Sequence, residues 1–420
     1  VMISRYDAAF LAPVSQANSV STFVIAALNG IGSGAVVLVS QYWGKKDENA
    51  IRRVFSVTAA VGLMVAALFV LLIECMPETV VSLVLDPALQ SLTPVAVSYL
   101  RIACLSFLPF GLISALVGCM KGVEVVRVTL YAAVLSLFSN VLMNAVLIFG
   151  LGPIPSLGVE GAALATVLAR MIELLVVWVY CFRKQKALAI RPRDLCCHKA
   201  WAWKDYARFG GPVGFTDAQW ALVGLMKMSI IGHLGATMMS SVNITDTMMN
   251  LGTMFTFALS GGACVVVGKA VGQRDMEKVY AYSRTIQAMF AIIGVCMAGI
   301  VILLRNPFIS LYGQPQEVTT LSSTLIFIGA ITLMGTSYHA SCFVGINRGA
   351  GDNRFVMLVD LVCGWLVVLP LTYLAAFVLP IPAAWKLPAV FLCTRIDQCF
   401  KWIIAFFRLR GNKWIKKVTR

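Results

Sequence analysis

Polar side chains that could bind an ion or a substrate are rare within the long apolar runs of this 420-residue chain. Asn140 and Asn144 are four residues apart and therefore share one face of a predicted helix. An ionisable group at membrane depth is costly unless it is paired or faces water, so each one is a candidate for an ion or substrate path. The candidates of this kind in the second half of the chain are Asp217, Asp246, His339, Asp360 and Lys227.

Each of these residues also has a purely structural interpretation. Lys227 could form an ion pair with one of the three aspartates, and a lone His on an apolar helix is most often a hydrogen-bond donor between helices. His339 could equally titrate near neutral pH, as a proton-coupled carrier requires. On periodicity alone, Asn140 and Asn144 would join helices through hydrogen bonds.

Patterns for metal or covalent chemistry are weak in this sequence. Most of the twelve Cys lie within apolar runs and none forms a Cys-x-x-Cys pair, so we interpret them as small buried hydrophobes. Cys196, Cys197 and His198 are interpreted as a polar loop, because adjacent thiolates without a second pair make a poor tetrahedral site. The sequence has no Asp-rich diphosphate motif. We therefore predict that the protein is not an enzyme and carries no cofactor or metal.

Composition indicates which elements must position the candidate residues. Hydrophobic residues make up 59% of the chain and charged residues 13%, against about 25% charged in soluble domains. Mean hydropathy is +0.85, so we predict an all-α integral membrane protein with no separate soluble domain. Eleven spans are predicted, near 13–40, 50–74, 88–118, 125–150, 158–181, 206–232, 238–268, 277–304, 316–346, 354–379 and 384–407.

One stretch of the sequence occurs twice. Residues 33–47 read SGAVVLVSQYWGKKD and residues 261–275 read GGACVVVGKAVGQRD, with an offset of 261 − 33 = 228. A duplicated membrane half explains the match, and the span at 206–232 then lacks a partner at the start of the chain. We therefore expect two pseudo-symmetric six-helix bundles, of which the first helix is missing here and eleven helices are present.

Charge placement predicts the orientation and the lobes. Lys and Arg are concentrated in every second turn and after residue 407, so these turns and the C-terminus are predicted to be cytoplasmic. The net charge of +15 follows from this distribution, which argues against nucleic acid as a partner. We divide the chain into an N-terminal lobe at 1–186, a cytoplasmic linker at 187–205 and a C-terminal lobe at 206–420. A cleft between two such halves would be the natural binding site.

Several longer motifs resemble one transporter family. They are NVLMNAVLIFGLGPIPSLGVEGAALATVLAR at 140–170, the turn at 44–53, NRGAGDNR at 347–354 and GGPVG at 210–214. Together these motifs are similar to multidrug and toxic compound extrusion (MATE) transporters. The resemblance extends over essentially the whole chain.

The resemblance implies a cation site in the N-terminal lobe. Family members use an Asp on the first helix, an Asn-x-x-x-Asp/Asn pair on the fifth and a Thr on the sixth, which match Asn140, Asn144 and Thr166 apart from the missing Asp. A second site of some members matches poorly, because its positions fall near Ser337 and near Gln219, close to Asp217. Any proton site in that lobe would have relocated its groups.

The implied function is antiport, with export of amphipathic and often cationic compounds in exchange for H⁺ or Na⁺. We expect H⁺ rather than Na⁺, because Asn144 stands where the most acidic family pattern has a second Asp. The protein would act as a monomer, multi-pass in the plasma (cytoplasmic) membrane, with lipid and small molecules as its partners. The main alternative is a flippase or exporter of lipid-linked saccharides. It would need a strongly cationic cavity, for which only Lys227 and Arg101 lie well inside spans.

Overall fold

The computed structural model describes residues 10–82, 91–150, 155–183, 194–195, 197, 199–411 and 413–416. Regular structure in these residues is entirely helical, which confirms the predicted all-α class. The helices are α1 (Leu11–Gly44), α2 (Glu48–Cys75), α3 (Pro77–Ser82), α4 (Thr93–Cys104), α5 (Phe107–Gly122), α6 (Arg127–Phe149), α7 (Gly158–Arg183), α8 (Ala200–Asp205), α9 (Gly211–Gly232), α10 (Ala236–Gln273), α11 (Met276–Ser310), α12 (Gln316–Ala340), α13 (Asn353–Val362), α14 (Leu369–Tyr373), α15 (Ala383–Cys393) and α16 (Ile396–Arg410).

Wider π-helical turns extend several of these helices. They occupy Tyr206–Gly210 before α9, Ser341–Asn347 after α12, and Cys363–Val368 and Leu374–Val378 on either side of α14. As a result, α12 continues without a break to Asn347, and the helical path from Asn353 runs to Val378. Turns of this kind often mark functional sites within helices.

Eight helices of the described chain are long and apolar enough to cross a membrane, or nine if α4 and α5, which meet at a bend of 42°, form one span. The other two predicted spans are also helical but fall short of this standard. In α9 the polar residues Asp217, Gln219 and Lys227 lower the hydropathy. The last span is divided at Thr394 and Arg395 into the short helices α15 and α16. Whether a further helix precedes α1 in the native protein stays a prediction.

The chain packs as two compact units. Unit 1 contains Val1–Val39 and Lys46–Ala218, and unit 2 contains Ser40–Lys45 and Gln219–Arg420. The predicted lobe boundaries remain a prediction, although residues 206–218 pack with unit 1. Most of the first part of the predicted linker, including Cys196 and His198, lies outside the described residues.

Glycines allow the helices of unit 1 to approach closely. A Cβ added to Gly118 of α5 would lie 2.4 Å from the carbonyl oxygen of Gly32 in α1, and one added to Gly62 of α2 would lie 2.9 Å from that of Gly111. Small residues at such crossings give the close backbone packing typical of membrane helices.

The equivalent crossing in unit 2 is looser. Gly345 and Ser260 correspond to Gly118 and Gly32, because 345 − 118 = 227 and 260 − 32 = 228. A Cβ added to Gly345 would lie 3.4 Å from the Ser260 carbonyl oxygen and 3.1 Å from the Ala263 side chain. The duplicated scaffold therefore keeps the crossing while the helix spacing differs.

Both copies of the repeated stretch end in an Asp that caps the start of the next helix. Asp47 caps α2, and its Oδ1 accepts a hydrogen bond of 3.0 Å from the Ala50 backbone N–H. Asp275 caps α11 in the same way, accepting a 3.1 Å bond from the Lys278 backbone N–H. Such caps satisfy one of the unpaired N–H groups at a helix start. This local match supports the interpretation of the repeat as a duplicated structural element.

One hydrophobic cluster of unit 2 includes a residue that follows the last helix. Trp414 is fully buried beside Val267, Ile346, Val356 and Leu409. Its ring packs edge-on against Tyr280 at 6.0 Å between centroids. The Lys416 backbone N–H donates to the Ala350 carbonyl oxygen at 2.8 Å, and Arg408 donates twice to Asp352 Oδ2, at 2.8 and 2.6 Å. The described residues 413–416, which follow α16, are therefore packed against the core of unit 2.

Candidate functional site

The three residues that the sequence assigns to a cation site come together in unit 1. Asn144 of α6 donates through Nδ2 to Asn140 Oδ1 at 3.0 Å. Asn140 Nδ2 lies 3.5 Å from Thr166 Oγ1 of α7, a weak hydrogen bond. The Thr166 hydroxyl in turn donates to the Ala162 carbonyl oxygen at 3.1 Å. The side chains thus form one directed chain of hydrogen bonds from α6 to α7.

One oxygen of this group has no hydrogen-bond donor among the described residues. Asn144 Oδ1 is buried and accepts no hydrogen bond from the described residues. A buried acceptor without a donor costs free energy unless a ligand, ion or water satisfies it. The hydrogen-bond chain therefore ends at an oxygen that is available to a cation or to a proton donor.

Small residues at the start of α7 make this arrangement possible. A Cβ added to Gly161 would lie 2.4 Å from the Leu147 carbonyl oxygen of α6, so only glycine fits at this crossing. The close contact brings Thr166 within reach of Asn140. Ser136 of α6 continues the contact by donating to the Ala169 carbonyl oxygen at 3.2 Å.

A buried ion pair lies one turn beyond Thr166 in the same helix. Arg170 Nη1 and Glu173 Oε2 are 2.7 Å apart, and the Glu173 side chain is almost completely buried. The Arg170 guanidinium also lies 4.6 Å from the centre of the Phe110 ring of α5. The sequence analysis did not select this pair, although the spacing of Arg170 and Glu173 by three residues is a recognisable signal for it.

An open cavity of about 830 Å³ in unit 1 lies away from these residues. Its lining includes Glu74, Glu78, Ser98 and Arg101. Two acidic groups near it are already engaged, because Glu74 pairs with Arg101 at 2.8 Å and Glu160 accepts a short hydrogen bond from Ser98. The cavity contains none of the predicted site residues, so its size alone is a poor guide to the site.

Two of the predicted acids of unit 2 take part in ion pairs with the last span. Asp246 of α10 accepts from Arg395 Nη2 at 2.9 Å. Asp360 of α13 accepts from Lys401 Nζ of α16 at 2.8 Å. Lys401 also pairs with Asp397, one turn earlier in its own helix, at 2.9 Å. The predicted acids are therefore neutralised by cations that follow residue 394.

Lys401 is the functional candidate that the sequence analysis missed. Its side chain is 1% exposed, and its partners Asp360 and Asp397 are 9% and 4% exposed. Its ammonium lies 4.2 Å from the centre of the Trp220 ring, a distance at which an aromatic face attracts a cation. The spacing of Asp397 and Lys401 by four residues within an apolar run was the available signal.

Lys227 and His339 have modest contacts in unit 2. Lys227 Nζ lies 3.5 Å from the Thr394 carbonyl oxygen and 5.8 Å from the centre of the Trp220 ring. No ion pair links Lys227 to an acid among the described residues, and Asp246 and Asp360, two of its three possible partners, pair with Arg395 and Lys401 instead. His339 Nδ1 lies 3.0 Å from the Gly335 carbonyl oxygen of its own helix, so this contact is made within α12 and not between helices.

Asp217 belongs to unit 1, unlike the other predicted residues of the second half. It packs against α1, where a Cβ added to Gly30 would lie 2.9 Å from Asp217 Cβ. Ser337, at the position of the second family site, is buried and lies 3.2 Å from Thr256 through their hydroxyl oxygens. Among the described residues, no three His, Cys, Asp or Glu side chains are close enough to share a metal ion.

Comparison with known proteins gives concordant results. The MatE family model matches residues 1–146 and 212–374. The uncharacterized transporter YisQ of Bacillus subtilis is 24% identical, over 99% of this chain and 90% of YisQ. The probable multidrug resistance protein NorM of Halalkalibacterium halodurans is 26% identical, over 90% of this chain and 82% of NorM.

Solved structures show the same fold. A multidrug resistance MATE family transporter in an outward-facing conformation superposes with a TM-score of 0.86 at 18% identity, over 99% of this chain and 91% of that one. A transporter of the MOP superfamily from Pyrococcus furiosus gives 0.85 at 16% identity, with the same coverage of both chains. The family model extends over well more than half of the sequence, and this chain therefore belongs to the MATE family of efflux transporters.

Proposed function

We propose that the protein is a secondary antiporter that exports amphipathic, often cationic, compounds in exchange for H⁺. The observation that carries the proposal is the hydrogen-bonded group of Asn144, Asn140 and Thr166, with its unsatisfied Asn144 oxygen. Family membership and relatives named as multidrug resistance proteins support export of small molecules. The protein would act in the plasma membrane as a monomer, with its C-terminus in the cytoplasm.

The chemistry of the group favours H⁺ over Na⁺. Amide and hydroxyl oxygens can orient a nearby carboxylic acid or help to surround a metal cation, but they carry no charge themselves. The family resemblance assigns the necessary carboxylate to the first helix of the family plan. A single carboxylate with hydrogen-bond partners is sufficient for a proton, whereas Na⁺ is held best where several oxygens and more negative charge converge.

Coupling would follow from competition between the ion and the exported compound. The ion must bind in one conformation and leave in the other, so its site must change partners or solvation between the two states. The weak 3.5 Å contact between Asn140 and Thr166 is the link in the chain that such a change would break first. Loss of this link would separate the α6 and α7 parts of the site.

The basic residues within the spans offer less support for the flippase alternative. A diphosphate would need several cations free to meet it, whereas Arg101 pairs with Glu74, and Lys401 and Arg395 pair with aspartates. Lys227, which contacts the Thr394 carbonyl oxygen, is a single charge and does not make a strongly cationic cavity. Nucleic acid is not expected as a partner, because the Lys and Arg residues are concentrated in the turns between spans and after the last span.

Transport in proteoliposomes tests the proposal directly. Uptake of an amphipathic cation by the full-length protein is measured under a pH gradient and, separately, under a Na⁺ gradient. Asn140→Ala removes the bond to Asn144 and the contact with Thr166 and should lower proton-driven uptake about tenfold or more, because two buried polar groups lose their partner. Asn306→Ala is the matched control, because Asn306 is exposed near the end of α11.

Two outcomes would contradict the proposal. Uptake driven by Na⁺ alone would show that the ion assignment is wrong. Unchanged proton coupling in Asn140→Ala would move the site away from α6 and α7, toward Asp217, Asp246, His339, Asp360 or Lys227.

A further inference from the structure

The most completely buried charged group of unit 2 is arranged like an occupied cation site. Lys401 Nζ lies between two carboxylates, 2.8 Å from Asp360 Oδ1 and 2.9 Å from Asp397 Oδ2. The two acids come from different helices, α13 and α16. Two carboxylate oxygens therefore converge on one positive charge that is closed off from solvent.

The charge balance of this group explains why a cation must be present. Two buried carboxylates close to the same point repel each other and lose their hydration, so while both are ionised they are stable only around a positive charge. Lys401 supplies that charge from within the chain. A free monovalent cation would meet the same two oxygens at the same place.

We propose that Asp360 and Asp397 form a monovalent-cation site whose occupant in this protein is the ammonium of Lys401. The lysine acts as a cation tethered to α16, so that unit 2 is charge-balanced without an exchangeable ion at these acids. Resting on the antiport function proposed above, this assignment leaves the exchanged ion to the α6–α7 group. The site itself can be tested without any transport measurement.

Gln219 provides an independent indication that this region accommodates a polar ligand. Its side chain is buried, and both its amide oxygen and its amide nitrogen find no partner among the described residues. Gln219 Oε1 would lie 3.4 Å from a Cβ on Gly364, which follows Asp360 by one helical turn. The residue also precedes Trp220, whose ring faces Lys401. An amide oxygen is a suitable ligand for a cation.

Other groups surround the site and would sense its charge. Those that interact electrostatically with Asp360, Asp397 or Lys401 are Lys227 on α9, His339 on α12, Cys363 after α13 and Cys399 on α16. Arg395 at the start of α16 is engaged with Asp246. Removal of the Lys401 charge would leave two carboxylates at the site, and among these groups the positive charge of Lys227 would offset only part of theirs.

The test removes the ammonium of Lys401 by substitution and supplies free Na⁺ in its place. The full-length variant Lys401→Ala is purified in detergent, and its melting temperature is measured in NaCl and in N-methylglucamine chloride at equal ionic strength. We expect Na⁺ to raise the melting temperature of this variant by about 3 °C or more, while wild type shows no difference. Quenching or enhancement of tryptophan emission during Na⁺ titration, lost in a Trp220→Phe background, provides a second readout at the site.

Two further variants keep the result interpretable. Lys227→Ala removes the neighbouring lysine that has no ion pair with a described residue, and it should show no Na⁺ response. Lys401→Ala/Asp397→Asn keeps only one carboxylate and should lose the Na⁺ response while regaining stability, so it can be measured even if the single variant folds poorly. A parallel series at lower pH without Na⁺ distinguishes protonation of the acids from metal-ion binding.

The outcomes separate this inference from the proposed function. A Na⁺ response of wild type that disappears in Asp360→Asn would overturn the inference, because the site would then hold an exchangeable ion beside Lys401. Equal melting temperatures of Lys401→Ala in both salts and at both pH values would overturn it as well. Either result leaves the transport assay of Asn140→Ala unaffected.

Discussion

Unit 1 and unit 2 carry a duplicated sequence, but the α6–α7 group of unit 1 and the Lys401 group of unit 2 are stabilised differently. The α6–α7 group of unit 1 is neutral, held by hydrogen bonds of 3.0–3.5 Å, and leaves one amide oxygen unsatisfied. The group around Lys401 in unit 2 consists of formal charges paired at 2.8 and 2.9 Å. A neutral group with a free acceptor can take up and release an ion, whereas a closed salt bridge resists exchange.

This difference shows how one scaffold can carry two roles. Duplication supplies equivalent helices, caps and crossings in both units, as the Asp47 and Asp275 caps illustrate. The polar residues within the spans differ between the two copies. Five predictions test how far the two units are alike and how far they differ, from the largest expected effect to the smallest.

The largest effect is expected in the charged group of unit 2. Lys401→Met leaves two buried carboxylates without their cation and should lower the free energy of unfolding by about 3–5 kcal/mol. In the triple variant Lys401→Met/Asp360→Asn/Asp397→Asn most of this loss should be recovered. Thermal unfolding of the purified variants in detergent measures both the loss of stability and its recovery. A triple variant as unstable as the single one would mean that packing, not charge, explains the role of Lys401.

The next effect compares equivalent helix crossings. Gly118→Ala forces a methyl group to within 2.4 Å of the Gly32 carbonyl oxygen and should cost about 1–3 kcal/mol. Gly345→Ala meets its neighbours at 3.1 Å or more and should cost clearly less. Gly299→Ala is the control, because an added methyl there meets nothing within 4 Å. Equal costs at Gly118 and Gly345 would show that the two crossings have the same spacing.

The third prediction concerns a substitution that gives the neutral α6–α7 group a charge, as in the Lys401 group of unit 2. Asn144→Asp adds a carboxylate beside Asn140 and Thr166, where Asn144 now has an unsatisfied oxygen. The added charge should strengthen Na⁺ dependence of transport by roughly tenfold, since opposite charges attract strongly in a poorly solvated site. Uptake as a function of Na⁺ concentration in proteoliposomes measures this. A variant that keeps the ion preference of wild type would indicate that coupling takes place elsewhere.

The smallest effect concerns the caps that the two copies share. Asp47→Ala should lower the free energy of unfolding by about 1 kcal/mol through loss of its bond to Ala50. Asp275→Ala should act in the same direction. The free energy of unfolding of both variants, measured at neutral pH, tests whether the two caps are equivalent. A loss of stability in one variant and a gain in the other would contradict the duplication.

The Asp275 cap should also depend on pH. A hydrogen bond from the Lys278 side chain is the main cause that holds the pKa of Asp275 below its ordinary value. For an acid with a lowered folded pKa, the stabilisation is present above the unfolded pKa and is lost as pH falls through the folded value. Melting temperatures of wild type and Asp275→Asn should therefore converge only in strongly acidic solution.

Much of the helical framework could be predicted because it depends on local sequence. Apolar runs give helix positions to within a few residues, and the spacing of Asn140 and Asn144 places both on one face of α6. The predicted contact of this face with Thr166 came from family resemblance and is present in the structure. Assignment of an ion to it stays a prediction.

Pairing between distant residues could not be predicted in the same way. Nothing in the neighbourhood of Asp360 indicates that its partner is Lys401, 41 residues later in the chain. Asp246 pairs with Arg395 and not with Lys227, and this pairing likewise depends on how α10 packs against the start of α16. Such contacts are set by tertiary structure, and hydropathy averages over a span hide the single charged residues that make them.

The position of Trp414 has a consequence for the order in which the protein is built. Helices of unit 1 leave the ribosome long before the indole that fills the cluster of Val267, Ile346 and Val356. During synthesis, N-terminal parts of a chain generally fold first. This cluster stays open until translation has passed residue 414, so premature release of the nascent chain would yield a protein with a complete first unit and an unfilled second one. Quality-control proteases that recognise exposed apolar surface would have a means to detect such products.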